Sequence, residues 1–247
     1  MRRRSGSKLL VLPILLALAA IPGCKSGSLI SESQEVDIGQ QASRDIERQY
    51  PVSKDPRLNA MVNEIGQYIA ARSNRPNLKY TFKVLDIKDV NAVSLPGGWV
   101  YVYKGLIDLL GGPANVNKDQ LAGVIAHEVG HVAARHAAEQ MSRSTLYGIT
   151  IGVLTKGNTA QYANVFANLS LLRWSRKDEY EADKLGINYT YGSQYNPQGL
   201  VDFLKLLQAK SGSGSKSLAF LRTHPVTSER IDRAQTYLNQ QKSGASP

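Results

Sequence analysis

The run Lys118-Asp-Gln-Leu-Ala-Gly-Val-Ile-Ala-His-Glu-Val-Gly-His-Val-Ala-Ala-Arg-His136 contains His127-Glu128-Val129-Gly130-His131, an HExxH pattern whose reading decides the fold around it. Leu121, Val124, Ile125, Val129 and Val132 recur at three-to-four spacing, which predicts a helix, and Asn117 or Asp119 can cap its start. On a helix, positions four apart lie one above the other, so His127 and His131 can offer ring nitrogens to one metal ion. Glu128 sits beside them without being a ligand, where a general base can take a proton from a water activated by the metal. The plainer reading is a core helix whose histidines are only hydrogen-bonded.

A zinc site with two histidines needs a third protein ligand and leaves a fourth position. Ser175-Arg-Lys-Asp-Glu179-Tyr-Glu181-Ala-Asp183-Lys-Leu-Gly186 reads as a second helix that can supply it. Glu179 and Asp183 are four apart, so a ligand carboxylate and a carboxylate behind a ligand histidine can share one face. Glu181 points about 200 degrees away from Glu179, so only one of the two can be the ligand, and Glu179 is the choice. Taken alone, this segment reads rather as a solvated charged helix face, and the combination with HEVGH reverses the balance.

HEVGH is followed about fifty residues on by the ExEAD of Glu179 to Asp183; NAVSLPGGWVYVYKGL precedes it and THPVTSERI follows. This order of motifs, over roughly positions 33 to 240, resembles the M48 family of zinc metalloproteases, which includes CAAX-prenyl endopeptidases and bacterial periplasmic quality-control proteases. The resemblance implies a mostly helical, zincin-like α+β domain with His127, His131 and Glu179 as ligands of one Zn²⁺. It also implies Glu128 as catalytic base and Asp183 as the partner behind a ligand histidine.

The N-terminus reads as an export signal. Met1-Arg-Arg-Arg and Lys8 precede a 13-residue apolar core, Leu9 to Ile21, too short to span a bilayer comfortably. Ile21-Pro22-Gly23-Cys24 resembles a bacterial lipobox, so residues 1–23 are expected to be a lipoprotein signal and Cys24 the lipidated residue. The alternative is an ordinary secretory signal with an incidental cysteine. Cys24 is the only cysteine, so no disulfide can form within the chain and a packed core must stabilise it. Lys25 after that cysteine resembles the outer-membrane pattern, which places the protein there, facing the periplasm. The formal charge of +10 includes four positive residues in the signal, and the remainder suits anionic lipid or acidic chains. The absence of a basic cluster with interleaved aromatics argues against nucleic acid. No apolar run of 18 follows the signal, which sets aside the membrane-spanning branch of the family.

Residues 24–247 are expected to form one domain. Helices are expected from Ser31 to Gln49, with a cap at Ser33, and from Asp55-Pro56 to about Arg72. Leu78 to Ile87 and Trp99 to Tyr103 read as strands, with Pro96-Gly97-Gly98 as a tight turn between them. One strand can be an edge that holds an extended peptide by main-chain hydrogen bonds; the resemblance, in which the NA...LPGG segment goes with such a strand, implies Asn91, Ala92, Leu95, Pro96, Gly97 and Gly98 as candidate substrate-binding residues, against a purely structural turn. The glycine-dotted stretch 144–172 reads as a core hairpin or a mobile lid. Further helices are expected from Asn196-Pro197 and over 227–240, with a flexible linker at 210–216 and a disordered tail at 242–247.

His224, placed by a loop, has three readings: a hydrogen-bond donor to the developing oxyanion, an occupant of the open zinc position that holds the enzyme latent, or a pin for the loop. His136 is five residues past His131, hence on another helix face, and is read as structural. The function expected is zinc-dependent endoproteolysis of unfolded or misassembled envelope proteins, serving protein quality control. The alternative is a lipid-anchored binding or chaperone-like protein with a structural or latent zinc site.

Overall fold

The computed structural model describes residues 28–146, 174–211 and 218–244. The signal, Cys24, most of the 144–172 stretch and most of the linker lie outside the described residues. The architecture is α+β and mostly helical, with one small sheet.

Helix α1 (Glu32–Gln49) is capped by Ser31, two residues before the expected cap at Ser33. The Ser31 hydroxyl accepts from the Gln34 N–H, and the Gln34 side chain accepts from the Ser31 N–H, a complete capping box. Asp55 caps α2 (Pro56–Ala70), whose Leu58, Val62, Ile65 and Ile69 face the core. Strands β1 (Thr81–Leu85), β2 (Ala92–Leu95) and β3 (Trp99–Tyr103) form a sheet of order β1-β3-β2, with β1 parallel and β2 antiparallel to β3. The Pro96–Gly98 turn therefore joins β2 to β3, not the Leu78–Ile87 segment to β3 as the sequence pattern suggests. Both faces of the sheet are covered. Val100 and Val102 of β3 pack with α2 and with α5 (Lys118–Ala133), while Tyr101 and Tyr103 pack toward α1. Burial on both faces explains why β3 shows no polar alternation.

Short helices α3 (Lys104–Leu109) and α4 (Gly112–Asn115) lead into α5, which Asn117 caps. Every residue of α5 from Leu121 to Val132 is buried, so this helix is the axis of the molecule. After it come α6 (His136–Leu146), α7 (Arg176–Thr190), α8 (Gln198–Ser211), the single turn α9 (Phe220–Thr223) and α10 (Ser228–Ser243). Lys210, Ser211, Lys242 and Ser243, placed by the sequence in the linker and the tail, are helical, and the rest of the linker lies outside the described residues. No helix among the described residues is long and apolar enough to cross a membrane.

Two glycines set the distance between α5 and α7. A Cβ on Gly130 would lie 2.9 Å from the Ala182 carbonyl oxygen, and one on Gly186 would lie 3.0 Å from the His127 nitrogen. Bare backbone is what lets the helices approach closely enough for side chains from both to reach one point.

A buried carboxylate fastens α1 to this core. Glu35 accepts from Arg75 at 3.0 Å, from Arg135 at 2.9 Å and from the Gly97 N–H at 3.4 Å. Arg75 also donates to the Val132 carbonyl at 3.0 Å, near the end of α5, where the Arg135 N–H donates to the same oxygen at 3.1 Å. Arg135 has φ +61°, in the left-handed region, and so breaks the helix between α5 and α6 without a glycine or proline.

Candidate metal centre

His127 and His131 point from the C-terminal half of α5 into a closed space where α7 and the loop after α9 meet them. Their Nε2 atoms are 3.1 Å apart. From α7, Glu179 brings Oε1 to 3.6 Å from His131 Nε2 and Oε2 to 3.7 Å from His127 Nε2. From the loop, His224 brings Nδ1 to 3.2 Å from His127 Nε2 and 3.0 Å from Glu179 Oε1. All four side chains are buried, and each offers a ligand atom within 4.8 Å of the others.

The donor set fits a tetrahedral zinc ion. With zinc–nitrogen distances of about 2.0–2.1 Å, tetrahedral donors stand about 3.3 Å apart. The separations here, 3.0 to 3.7 Å, bracket that value. Histidine and carboxylate are also the donor types that zinc takes in hydrolytic sites. Left to themselves, ring nitrogens facing one another without enough protons to share are costly to bury.

The surroundings orient these donors from two sides. Asp183, one turn beyond Glu179, stands 2.9 Å from His127 Nδ1, although off the ideal N–H direction. Arg230 of α10 grips Asp183 with Nε and Nη2, at 2.6 and 2.8 Å, and pairs through Nη1 with Glu179 Oε2. Its remaining contact is the Pro225 carbonyl at 3.2 Å, which ties it to the His224 loop. On the other side, His131 Nδ1 meets His136 Nδ1 at 2.8 Å, and the Trp174 ring stacks on His131 with centroids 4.6 Å apart. His136 Nε2 faces Glu181 at 3.7 Å.

These neighbours set the protonation states. Burial pushes His131 well below the ordinary histidine value. For Glu179, burial opposes ionisation, but the charges of His224 and Arg230 outweigh it and hold the carboxyl well below its usual range. Asp183 behaves alike: burial opposes ionisation, and the Arg230 guanidinium overrides it. Burial lowers His224, yet Glu179 and Glu128 together raise it above the ordinary value.

Glu128 is fully buried beside the cluster. Its Oε2 accepts from the Ser94 hydroxyl at 2.7 Å, while Oε1 has no hydrogen-bond partner and lies 3.4 Å from His224 Nε2. A buried carboxylate oxygen left unpaired is a strong acceptor awaiting a donor.

The residues singled out from sequence thus divide. His127, His131, Glu179, Glu128, Asp183 and His224 converge. Ala92 and Leu95 belong to β2, which is at the sheet edge and packs against α5; Asn91 precedes it, and its carbonyl accepts from the Tyr103 N–H. Pro96, Gly97 and Gly98 are buried against α1, where a Cβ on Gly97 would meet the Val36 backbone at 2.6 Å. His136 departs from the expectation of another helix face: α5 has ended before it, and the Arg135 break returns its ring to His131. Ser94 and Arg230 lie within two of the stretches that carry the resemblance, but the pattern assigns no role to either. A serine within β2 and an arginine in a helix's first turn are ordinary by pattern, and only long-range packing gives them partners.

Comparison with known proteins agrees with this geometry. The chain is 26% identical over 233 residues to the beta-barrel assembly-enhancing protease of Escherichia coli (strain K12), covering 89% of this chain and 47% of that one. It is 31% identical over 180 residues to the mitochondrial metalloendopeptidase OMA1 of Schizosaccharomyces pombe, covering 72% and 52%. With the metalloprotease YcaL of Escherichia coli (strain K12) it shares 28% over 205 residues, covering 79% and 72%. The chain spans about half the length of the first two relatives. The family model described as peptidase family M48 matches residues 56–238, from the start of α2 into α10, so every side chain of the cluster lies within the match and the chain belongs to peptidase family M48.

Proposed function

We propose that this chain is a zinc-dependent endopeptidase of the bacterial cell envelope that cleaves unfolded or misassembled proteins. The observation that carries the proposal is the convergence of His127, His131, Glu179 and His224 at tetrahedral separations with the unpaired Glu128 oxygen beside them. His127, His131 and Glu179 would hold the ion. When bound, zinc supplies Lewis acidity to the scissile carbonyl and makes water a better nucleophile near neutral pH. Glu128 Oε1 takes a proton from the attacking water and returns it to the leaving amine as the C–N bond breaks. Asp183, held by Arg230, keeps His127 oriented with Nε2 toward the cluster. The edge strand β2 offers main-chain groups to an extended chain, with Ser94 linking that strand to the base.

His224 lies at the fourth donor position and also approaches Glu128, which supports the reading in which it holds the enzyme latent. Withdrawal of the loop opens both the fourth position and the base. The names of the relatives, a protease, a metalloendopeptidase and a metalloprotease, support protein substrates, and the signal with Cys24 supports export and lipid anchoring at the outer membrane, facing the periplasm.

Zinc content and cleavage of a permanently unfolded protein test the reading. About one zinc per chain is expected in the wild type, with a large loss in Glu179→Ala. Glu128→Gln is expected to keep zinc and lose cleavage. His224→Ala raises cleavage if the loop is a latch and lowers it if His224 serves the oxyanion. A folded wild type that takes up no zinc would falsify the protease reading and leave the binding-protein alternative.

A further inference from the structure

The side of the centre away from Asp183 carries an interaction that the proposed chemistry does not use. His136 is 4% exposed, and its Nδ1 lies 2.8 Å from Nδ1 of His131, with the two rings inclined at 71°. Two nitrogens at that distance share one proton. The Nε2 of His131 faces the other donors of the cluster and must be bare to bind a cation, so the proton of His131 is on Nδ1. His136 must then accept it with a bare Nδ1 and carry its own proton on Nε2, the atom that faces Glu181 at 3.7 Å.

The backbone is shaped for this contact. A continuous α5 would put a residue five positions on about 140 degrees around the helix from His131. Arg135 instead adopts φ +61°, a conformation that costs on the order of 1 kcal/mol for a non-glycine residue. The ion pair with buried Glu35 holds it there. Trp174 closes the pair from above, stacked on His131 and 6.2 Å from the His136 ring centre.

We propose that His136 is a positioning residue which accepts the Nδ1–H of His131 and so fixes the tautomer and orientation of that ring toward the ion. The inference rests on the zinc reading above. It gives the centre two different orienting partners: a carboxylate behind His127 and a neutral imidazole behind His131.

The test uses the full chain, zinc competition against a chelator, and ¹⁵N spectra of labelled histidine. His136→Leu keeps much of the volume but cannot accept, and is expected to bind zinc about 10–100-fold more weakly. His136→Gln, whose amide oxygen can accept the same N–H, is expected to recover most of that loss. Wild-type affinity in a folded His136→Leu would overturn the proposal, as would equal losses in both variants. Should neither variant fold, the wild-type spectrum decides: protons on His131 Nδ1 and His136 Nε2 support the role, and a proton on His136 Nδ1 refutes it. A wild type that takes no zinc removes the reading on which this one rests. Zinc-binding wild type beside an unaffected His136→Leu removes the role of His136 alone.

Discussion

His127 and His131 are one helical turn apart, yet the ring nitrogens they turn away from the cluster meet opposite kinds of surroundings. Behind His127 is a fully buried ionic pair, Asp183 and Arg230, both on packed helices. Behind His131 is a neutral ring, His136, followed by Glu181, whose side chain is 51% exposed. The first support is rigid and strongly charged; the second leads outward toward water. The difference teaches that the same ligand type can be oriented either by a costly buried charge pair or by a hydrogen bond held in place by backbone geometry. Only the first makes the metal site a determinant of global stability.

The largest way to break this comparison is Arg230→Met. It leaves Glu179 and Asp183 buried without their cation, and a loss of about 3–5 kcal/mol is expected in urea unfolding of the metal-free protein. A loss under about 1 kcal/mol would mean that the pair stabilises little and that the two sides are alike.

Acid titration sharpens the same point with a smaller effect. Asp183 is held below its ordinary value of 3.8, so its contribution is present in full above that pH and is lost as pH falls through the lowered value. Glu179 acts in the same direction from its ordinary 4.5. Metal-free wild type is therefore expected to lose stability below about pH 4, with a flatter acid limb in Arg230→Met. Parallel limbs in the two proteins would show that other carboxylates govern acid unfolding.

The smallest expected effect is Glu181→Gln. Half exposed and 3.7 Å from His136, Glu181 is expected to change unfolding stability by no more than about 0.5 kcal/mol. A change comparable to that of Arg230→Met would erase the asymmetry.

The side of the centre legible in the sequence was the side built from short-range spacing. HEVGH is an i, i+4 pair, Glu179 and Asp183 another, and both sit on helices with capping signals, at Asn117 and at Ser175 with Asp178. What the pattern did not show depends on contacts far apart in the chain or on one unusual torsion. Arg230 reaches Asp183 across 47 positions and Ser94 reaches Glu128 across 34. The break at Arg135 has neither glycine nor proline to announce it, so helical periodicity carried past the true end of α5 and put His136 on the wrong face. In the sheet, the short β2 was not separated from the turn after it, and the parallel pairing of β1 with β3 is not encoded by alternation. The expectation of an edge strand rested on the family resemblance. The order β1-β3-β2 puts β2 at an edge, and the use of that edge by substrate remains part of the proposal.

The burial of Arg230 has a consequence in terms of electroneutrality. With Glu128, Glu179 and Asp183 counted as ionised, the centre holds three negative charges in a closed interior, and Arg230 cancels one. Two remain. A dication completes the balance, whereas a monovalent cation leaves an excess that a low-dielectric interior tolerates poorly. Without a cation, a proton on His224, whose affinity for it is raised by Glu179 and Glu128 against the effect of burial, makes up part of the deficit. An ion that takes His224 as its fourth donor displaces that proton, so occupancy of the latent arrangement is coupled to the acidity of the compartment in which the protein works.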